Sequence, residues 1–347
     1  MPTLGEGAWE KEVRAMGEMI NGRWHTGWSP PDEQGRFQRP KTRFREQVTP
    51  TGTGRFPAEA GRYHLYASYA CPWASRALIV RKLKRLDGAI GVTIVDPRMG
   101  DDGWAFGDFP DSDRDTLNGA RFLRELYLRA QPDYTGRVTV PVLWDTHERT
   151  IVNNESRDLM RILGTAFDDF GDASVQLAPE YLRDLVDETL DAIYEPINNG
   201  VYRAGFAGSQ QAYAQACREL FSALEHWERV FGGQRYLCGD QITEADIALY
   251  TTLVRFDLVY YSHFKCNLRR IQDFPNLWSY LKDLYQTPGF TETTHLEHIK
   301  VHYYWSQTTV NPTRVVPLGP EVPLNEPHDR ARLGGVPLHV SPIEARS

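Results

Sequence analysis

The sequence contains four cysteines, and whether a thiol is reactive depends strongly on its surroundings. They are Cys71, Cys217, Cys238 and Cys266, and no two of them form a Cys-x-x-Cys pair. Four scattered thiols in 347 residues are too sparse for a disulfide framework, and they lack the ligand spacing of a structural zinc site. Each thiol is therefore either a packing residue or a reactive group, and its sequence neighbours decide which.

Cys71 lies at the predicted start of a helix, a position that favours a reactive thiol. It follows a predicted strand over 62–68 and precedes Pro72. Proline is favoured at the first position of a helix, because the N–H that it lacks would have no partner there. The unpaired amides and the positive end of the helix dipole stabilise a thiolate, so the sequence predicts a nucleophile with a lowered pKa, with an inert buried cysteine as the alternative. The other three thiols lie in or beside apolar helical stretches, and we expect them to pack.

The residue three positions after Cys71 indicates which thiol chemistry to expect. A dithiol oxidoreductase would carry its second cysteine there, and this chain has Ala74. Without that partner, a mixed disulfide on Cys71 must be resolved by a thiol from solution, and glutathione is the abundant intracellular one. The pattern predicts a monothiol enzyme that removes or exchanges a glutathionyl group, with glutathione as co-substrate.

Two downstream features fit a bound glutathione. Pro141 interrupts the apolar run 138–143, where a central-strand proline would be out of place. A cis bond before Pro141 would leave the backbone of Val140 free to pair with an extended peptide, and proline in an ordinary edge strand is the alternative. At 153–156, helix-start amides and the Ser156 hydroxyl can bind a carboxylate, while Glu155 can accept from an ammonium. A γ-glutamyl group carries both charges, although the same residues could serve only as a helix cap.

The elements that must position these residues follow the order β-α-β-α-β-β-α over about 100 residues, which is typical of a small α/β domain with a mixed sheet. Strands are predicted over 62–68, 92–95, 138–144 and 150–152, and helices over 74–86, 115–130 and 155–163. From about residue 179 the pattern is helical, over 179–197, 210–231, 244–262 and 276–285, which predicts a helical bundle. Thr243 and Asp246 form a predicted capping box.

Composition narrows the class of protein. Hydrophobic residues make up 41% and charged residues 24%, as in a folded globular chain, and the net charge of -7 argues against a nucleic-acid binder. The basic cluster at 81–85 is predicted to be a solvated helix face. No apolar run approaches the ~18 residues of a membrane helix, and no signal peptide is evident, so we expect a cytoplasmic protein without a membrane or nucleic-acid partner.

Three segments of the sequence resemble one known family. The segments 69–74 (YACPWA), 136–145 (GRVTVPVLWD) and 151–156 (IVNNES) resemble the glutathionyl-hydroquinone reductases, which are the Xi class of the glutathione transferase superfamily. Segments 251–257, 263–271 and 298–312 look similar too, so the resemblance covers roughly residues 40–320. It implies a homodimer with the glutathione transferase fold: an α/β thioredoxin-like N-terminal domain followed by an all-α C-terminal helical bundle.

With this resemblance, the chain divides into four predicted segments. They are an irregular arm (1–60) with one short helix near Trp9 to Met19, a thioredoxin-like glutathione-binding domain (61–170), an all-helical domain (171–305) and a Pro-rich extended tail (306–347).

The resemblance also assigns roles by position. Cys71 corresponds to the family's nucleophile, and Tyr202 and Tyr303 match tyrosines that bind the hydroquinone side, with core or interface packing as the alternative for both. The positions that match glutathione contacts are Trp104, Arg137, Val140, Glu155 and Ser156. Many relatives have a histidine at the position of Ser75, and this departure bears on how the thiol is tuned.

The predicted function is glutathione-dependent reduction of glutathionyl-hydroquinones to hydroquinones. A mixed disulfide between Cys71 and glutathione is the intermediate, glutathione disulfide is released, and no metal is required. One alternative is a conjugating glutathione transferase or general thiol transferase on the same fold. The other is a non-catalytic interaction module.

Overall fold

The computed structural model of the protein describes residues 17–27, 31–50, 52 and 54–335. Its centre is a sheet of four strands, β3 (Tyr63–Ala67), β4 (Ile90–Ile94), β6 (Val142–Asp145) and β7 (Thr150–Asn153). Their order across the sheet is β4-β3-β6-β7. β3 is parallel to β4 and antiparallel to β6, and β6 pairs antiparallel with β7. This mixed sheet confirms the predicted α/β domain.

The helix that begins after Cys71 is enclosed on several sides. This helix, α1 (Pro72–Leu83), packs against β3, against α3 (Ser156–Thr165) and against α7 (Glu244–Arg255) of the helical bundle. Ten of its twelve residues are buried, which is why α1 has no polar face. Cys71 therefore sits where the two halves of the chain meet.

The second half of the chain is helical, as predicted. Besides α7 it contains α4 (Arg183–Ile193), α5 (Gly200–Gly205), α6 (Gln210–Val230), α8 (Pro275–Tyr285) and α9 (Leu296–Ser306). The capping box at the start of α7 is confirmed, because the Thr243 amide donates to Asp246 Oδ2 at 2.8 Å. The helices α5 and α9 were not predicted.

Two of these helices change their winding. α4 continues as a π-helical turn over Tyr194–Asn198, and α7 continues as another over Phe256–Tyr260. A π turn adds one residue to the helical register, so the side chains that follow it point in a new direction. The predictions of helices over 179–197 and 244–262 are confirmed in helical content, and the π turns are a feature that the helical pattern did not indicate.

Two predicted elements begin later than expected. The helix predicted over 115–130 is α2 (Leu123–Ala130), because the Asp115 carboxylate accepts from the amides of Leu117, Asn118 and Ala120 and holds that stretch in a turn. The strand predicted over 138–144 begins only at Val142.

The arm contributes a hairpin to the fold. β1 (Glu18–Ile20) pairs with β2 (Arg23–His25) and also with β5 (Gly136–Arg137), which gives a second, three-stranded sheet. The helix predicted near Trp9 to Met19 lies mostly outside the described residues. Its last two positions belong to a strand, so that prediction was wrong for Glu18 and Met19.

The basic cluster at 81–85 is not a solvated face throughout. Lys84 is fully buried, and its Nζ donates to Asp168 Oδ1 at 2.6 Å and to the Val175 carbonyl at 3.0 Å. Buried Arg81 donates to Asp87 Oδ1 at 2.9 Å. The prediction was wrong for these two cations, since both are paired with carboxylates.

The described part of the Pro-rich tail lies along the helical bundle, and it contains turns and a short 3₁₀ helix over Arg330–Leu333 instead of being extended throughout. Lys300 Nζ donates to the Leu318 carbonyl at 2.5 Å, and buried Arg330 donates to the Phe231 carbonyl at 2.6 Å. Gln307, at the start of the tail, is the point where this segment reaches the cavity beside Cys71. Within the described ranges, no helix is long and apolar enough to cross a membrane.

Candidate active site

Cys71 occupies the N-cap position of α1, as predicted, and its side chain is only 8% exposed. The thiol donates a weak hydrogen bond to the Val140 carbonyl, with 3.7 Å between Sγ and O. The bond between Val140 and Pro141 is cis, which confirms the prediction made from the proline in the apolar run.

The pKa of Cys71 differs from the expectation. Burial raises it above the ordinary thiol value, although the amides of Ala74 and Trp73 and the charges of Arg255 and Arg39 act to lower it. A thiolate loses more solvation than a thiol when it is buried, and here that loss exceeds the effect of the helix start. The prediction of a lowered pKa was therefore wrong for the ligand-free protein, because it counted the helix start and left out the burial.

This direction gives a testable pH dependence. A thiol with a raised pKa is protonated at neutral pH and becomes a thiolate only as the pH climbs past the ordinary value of 9.0. We expect the rate of Cys71 alkylation by iodoacetamide to keep rising above pH 9, measured by mass spectrometry of the Cys71 peptide against free glutathione in the same buffers. A rate that levels off below pH 8 would contradict the burial argument.

Arg255 links the Cys71 loop to the helical bundle. This arginine of α7 is buried, and it donates to the carbonyls of Ala70 (3.0 Å) and Tyr69 (2.8 Å) and to Ser75 Oγ (2.7 Å). Ser75 Oγ in turn donates to the Cys71 carbonyl at 3.1 Å. Ser75, the departure from many relatives, thus connects the arginine to the backbone of the nucleophile.

The backbone before the cis bond is held by a tyrosine. Tyr127 Oη donates to the Thr139 carbonyl at 2.8 Å and accepts from the Thr139 amide at 3.2 Å, so Thr139 cannot pair as a strand residue at these groups. Asn154 Nδ2 donates to the same Oη at 3.0 Å. Tyr127 therefore joins the segment that carries Val140 to the start of α3, and this explains why the strand begins only at Val142.

Glu155 and Ser156 lie at the start of α3, as predicted. The Glu155 carboxylate accepts from Thr42 Oγ1 at 3.0 Å and from the Arg157 amide at 3.3 Å. Ser156 Oγ accepts from Arg76 Nη1 at 3.3 Å. Burial lowers the pKa of Arg76 to about 10, and the nearby Glu155 charge opposes that shift, so Arg76 remains a cation beneath this site at neutral pH. Opposite charges therefore lie side by side, as the zwitterionic γ-glutamyl end requires.

Arg39 of the arm stands between the thiol and this charged end. Its guanidinium lies 4.8 Å from the ring centres of both Trp73 and Tyr202, and its Nε donates to Asn199 Oδ1 at 3.0 Å. Arg137 lies close by, and burial together with the charge of Arg39 lowers its pKa to about 10. Two arginines in one place suit an anionic ligand.

Trp104 forms another wall of the cavity. Its ring stacks on His302 of α9, with 4.7 Å between ring centres and 16° between ring planes. His302 Nδ1 donates to the Pro97 carbonyl at 2.9 Å, and burial lowers the pKa of His302 to about 4, so this imidazole is neutral at pH 7. The indole is therefore fixed against a flat, uncharged neighbour.

Three tyrosines form a chain of hydrogen bonds in the same cavity. Tyr202 and Tyr303 are 2.6 Å apart at their hydroxyl oxygens, and Tyr260 reaches Tyr303 at 2.8 Å. Burial raises the pKa of all three phenols, so they keep their protons at neutral pH and can donate them to an acceptor.

The candidate site residues line two adjoining spaces. The thiol cavity is bordered by Cys71, Trp104, Arg137, Val140, Tyr202 and Tyr303, and the polar groove by Arg137, Val140, Glu155 and Ser156. Arg39 and Trp73 border both spaces. All eight residues singled out in the sequence thus fall in one continuous region, whose two ends differ in polarity.

The other three cysteines lie elsewhere. Cys217, Cys238 and Cys266 are buried and unpaired with one another, and burial raises the pKa of each thiol. They belong to the hydrophobic core, as expected. Among the described residues, Cys71 is the one thiol that borders the cavity.

Sequence reasoning missed Arg39, Arg255 and Tyr260. Arg39 lies in a stretch without periodicity, and Tyr260 is the last residue of the π turn that continues α7, so helical spacing gave no sign of either. Arg255 carried a signal that was not used, because an arginine in the apolar stretch 244–262 requires buried acceptors.

Comparison with known proteins identifies the family. The models for the N-terminal and the C-terminal domain of glutathione S-transferase match residues 70–166 and 210–283. The chain is 50% identical to the glutathionyl-hydroquinone reductase YqjG of Escherichia coli (strain K12) over 323 residues, which cover 91% of this chain and 98% of that protein.

Solved structures agree with this match. A Xi class glutathione transferase from Natrialba magadii superposes with a TM-score of 0.88 at 52% identity, covering 93% of this chain and 98% of that one. The glutathione-bound structure of the Escherichia coli YqjG superposes with a TM-score of 0.83 at 48% identity, covering 90% and 99%. The chain therefore belongs to the Xi class of the glutathione transferase superfamily, the class of the glutathionyl-hydroquinone reductases.

Proposed function

We propose that this protein reduces glutathionyl-hydroquinones to hydroquinones at the expense of glutathione. One feature of the cavity supports this function most directly. Cys71, without a second cysteine beside it, opens into the same cavity as the hydrogen-bonded Tyr202 and Tyr303. A lone thiol accounts for glutathione chemistry, and paired phenols account for an aromatic substrate that carries hydroxyl groups.

The first step is a displacement at sulfur. Cys71 reacts as a thiolate, which the Trp73 and Ala74 amides stabilise against burial. It attacks the sulfur of the glutathionyl-hydroquinone, so an S–S bond forms while the bond between sulfur and the ring carbon breaks. The electron pair of the broken bond stays with the ring, which takes up a proton and leaves as the hydroquinone. Cys71 remains as a mixed disulfide with glutathione.

The second step regenerates the thiol. The thiolate of a second glutathione attacks the glutathionyl sulfur of the mixed disulfide, forming glutathione disulfide and returning Cys71 as a thiolate. In sum, two glutathionyl sulfurs are joined and the ring gains a hydrogen. The electrons come from glutathione, and no step calls for a metal.

The tyrosines act on the ring end of the substrate in this proposal. Tyr202 and Tyr303 keep their protons at neutral pH, since burial raises their pKa values. They donate hydrogen bonds to the hydroquinone oxygens, and these bonds orient the ring. Tyr260 is hydrogen-bonded to Tyr303 and can replace a proton that Tyr303 donates.

The polar groove receives the peptide end. We assign the γ-glutamyl group to Glu155 and Ser156 and the peptide backbone to Val140, with Trp104 and Arg137 along the glutathione. Support comes from the pairing of charges at the start of α3 and from the related glutathione-bound structure of the Escherichia coli YqjG.

The alternative is a general thiol transferase, and the two activities can be separated. We expect the wild type to convert a glutathionyl-hydroquinone into hydroquinone and glutathione disulfide in equal amounts, measured by chromatography. The double variant Tyr202→Phe, Tyr303→Phe should lose about 10²-fold or more of this rate, within the range of one acid–base contribution. It should keep its rate on a mixed disulfide of glutathione with a small aliphatic thiol, which needs no ring contact.

An equal loss on both substrates would favour the general thiol transferase, and failure of the wild type on the hydroquinone would reject the proposal. Thermal unfolding of both proteins serves as the folding control.

We further propose that the protein is a cytoplasmic homodimer. Each chain is divided into segments at about residues 60, 170 and 305, as the sequence indicates. Support comes from the resemblance to the family. Sedimentation of the purified chain at the mass of one copy would overturn the dimer.

A further inference from the structure

Two histidines and an aspartate meet away from the thiol, between the loop that follows β4 and the helix α9. Asp111 lies in that loop, His295 is the N-cap of α9, and His298 lies in its first turn. One ligand atom from each lies within 4.8 Å of the others, and His295 Nδ1 is 3.6 Å from Asp111 Oδ2. These three residues are called the His-His-Asp cluster below.

His298 is the member whose bonding is incomplete. The side chain is only 2% exposed, and its Nε2 lies 2.6 Å from the Pro110 carbonyl. A carbonyl can only accept, so Nε2 carries the proton and donates it. Nδ1 is then left buried with no hydrogen-bond partner among the described residues. A buried nitrogen without a partner is costly and calls for an explanation.

The surroundings of His298 match those of a metal-ligating histidine. Such a histidine usually donates its other ring N–H to a carbonyl or carboxylate, which fixes the ring and directs the free nitrogen to the ion. The Pro110 carbonyl plays that part here. The rings of Tyr69 and Phe109 pack edge-on against His298 at 5.5 and 5.1 Å, which limits its rotation.

We propose that the His-His-Asp cluster is a binding site for a divalent transition-metal cation, with Zn²⁺ as the best fit. Two imidazole nitrogens and one carboxylate oxygen are a ligand set that Zn²⁺ accepts, with a fourth position left for water. Ligand atoms at bond lengths of about 2.1 Å lie about 3.4 Å apart in a tetrahedron, so the exposed Asp111 and the half-buried His295 need only small movements to close around an ion.

The ion would join two elements that also form the thiol cavity. The loop with Asp111 carries Trp104, and α9 carries His302 and Tyr303. The loop and α9 also meet where Trp104 stacks on His302. A cation that joins the loop to the start of α9 would therefore help to hold this stack in place. The role is structural and takes no part in the thiol chemistry, so it stands or falls independently of the proposed activity.

The test uses the full chain, treated with a chelator and titrated with Co²⁺ and then with Zn²⁺. We expect one Co²⁺ per chain, a visible d–d spectrum, and no sulfur-to-cobalt charge-transfer band, because the ligands are nitrogen and oxygen. His295→Ala should weaken binding of both ions by about ten-fold or more, since losing a ligand costs at least as much as losing an outer-shell partner. Zn²⁺ should also raise the thermal unfolding midpoint of the wild type and not of this variant.

His147→Ala is the matched control. His147 likewise faces a carboxylate, with its Nδ1 4.0 Å from Glu59 Oε2, but it is more exposed to solvent than His295. Its metal binding should equal that of the wild type. The proposal is overturned if the wild type binds neither ion, if the cobalt spectrum carries a thiolate band, or if His295→Ala and His147→Ala bind equally well.

Discussion

Replacing Cys71 with alanine is expected to lower turnover of a glutathionyl-hydroquinone by about 10³-fold or more, as the loss of a nucleophile does in enzymes that form covalent intermediates. The fold should survive, because the bond that alanine removes, from the thiol to the Val140 carbonyl at 3.7 Å, is weak. Glutathione binding should persist as well, since the polar groove is unchanged. Turnover is measured by chromatography of the hydroquinone, and glutathione binding by calorimetry.

Trapping the intermediate gives the second half of this test. Wild-type protein exposed to the substrate without free glutathione should gain the mass of one glutathionyl group, located on Cys71 by peptide mapping. Cys217, Cys238 and Cys266 should remain unmodified, because all three are buried outside the cavity. Turnover by the alanine variant, or a glutathionyl group on one of those three thiols, would remove Cys71 from the mechanism.

Replacing Arg255 with leucine should cost both stability and reactivity. The guanidinium donates to two carbonyls of the Cys71 loop and to Ser75 Oγ, and leucine leaves these buried acceptors without a donor. We expect the free energy of unfolding to fall by about 3 kcal/mol, since each unsatisfied buried group costs roughly 1–3 kcal/mol and relief from burying the charge offsets part of the sum. Urea unfolding measures this loss.

The reactivity of Cys71 separates this effect from plain destabilisation. The charge of Arg255 lowers the pKa of Cys71, so its removal should raise that pKa further and slow alkylation of Cys71 at pH 8. Arg235→Leu is the matched control: Arg235 is similarly buried and pairs with Asp283 at 2.9 Å, and neither residue lines the thiol cavity. It should destabilise the protein and leave alkylation unchanged. Equal alkylation rates in the two variants would show that Arg255 acts on the fold alone.

Much of the site could be predicted because its signals are local. A cysteine before a proline, a proline inside an apolar run and a polar helix start each say what the backbone does over a few residues. Cys71, Pro141 and Glu155 were found in this way, and the cis bond followed from one residue type. The resemblance added Tyr202 and Tyr303, whose local sequence is uninformative.

What the sequence did not reveal depends on packing. The pKa of Cys71 is raised by its burial, and burial is a property of the assembled halves of the chain. α9 escaped prediction because histidines and tyrosines, which count as polar in a periodicity search, form much of its buried face; they include His298, His302 and Tyr303. Tyr260 escaped because it lies in a π turn, which breaks the 3.6-residue repeat.

The pairing of the arm with β5 also has a consequence for synthesis of the chain. The amide of Asn21, at the turn of the hairpin, donates to Thr135 Oγ1, a partner 114 positions further along. At a translation rate of about 5–20 residues per second, the hairpin waits on the order of ten seconds before that partner exists. During this time the ring of Trp24, which borders the finished thiol cavity, has no cavity residues to pack against. Its Nε1–H also lacks its acceptor, the Asp101 carbonyl, at first. The earliest of the described segments thus docks only after residues near 136 have been made, and until then a nascent chain exposes an apolar ring and an unpaired strand edge.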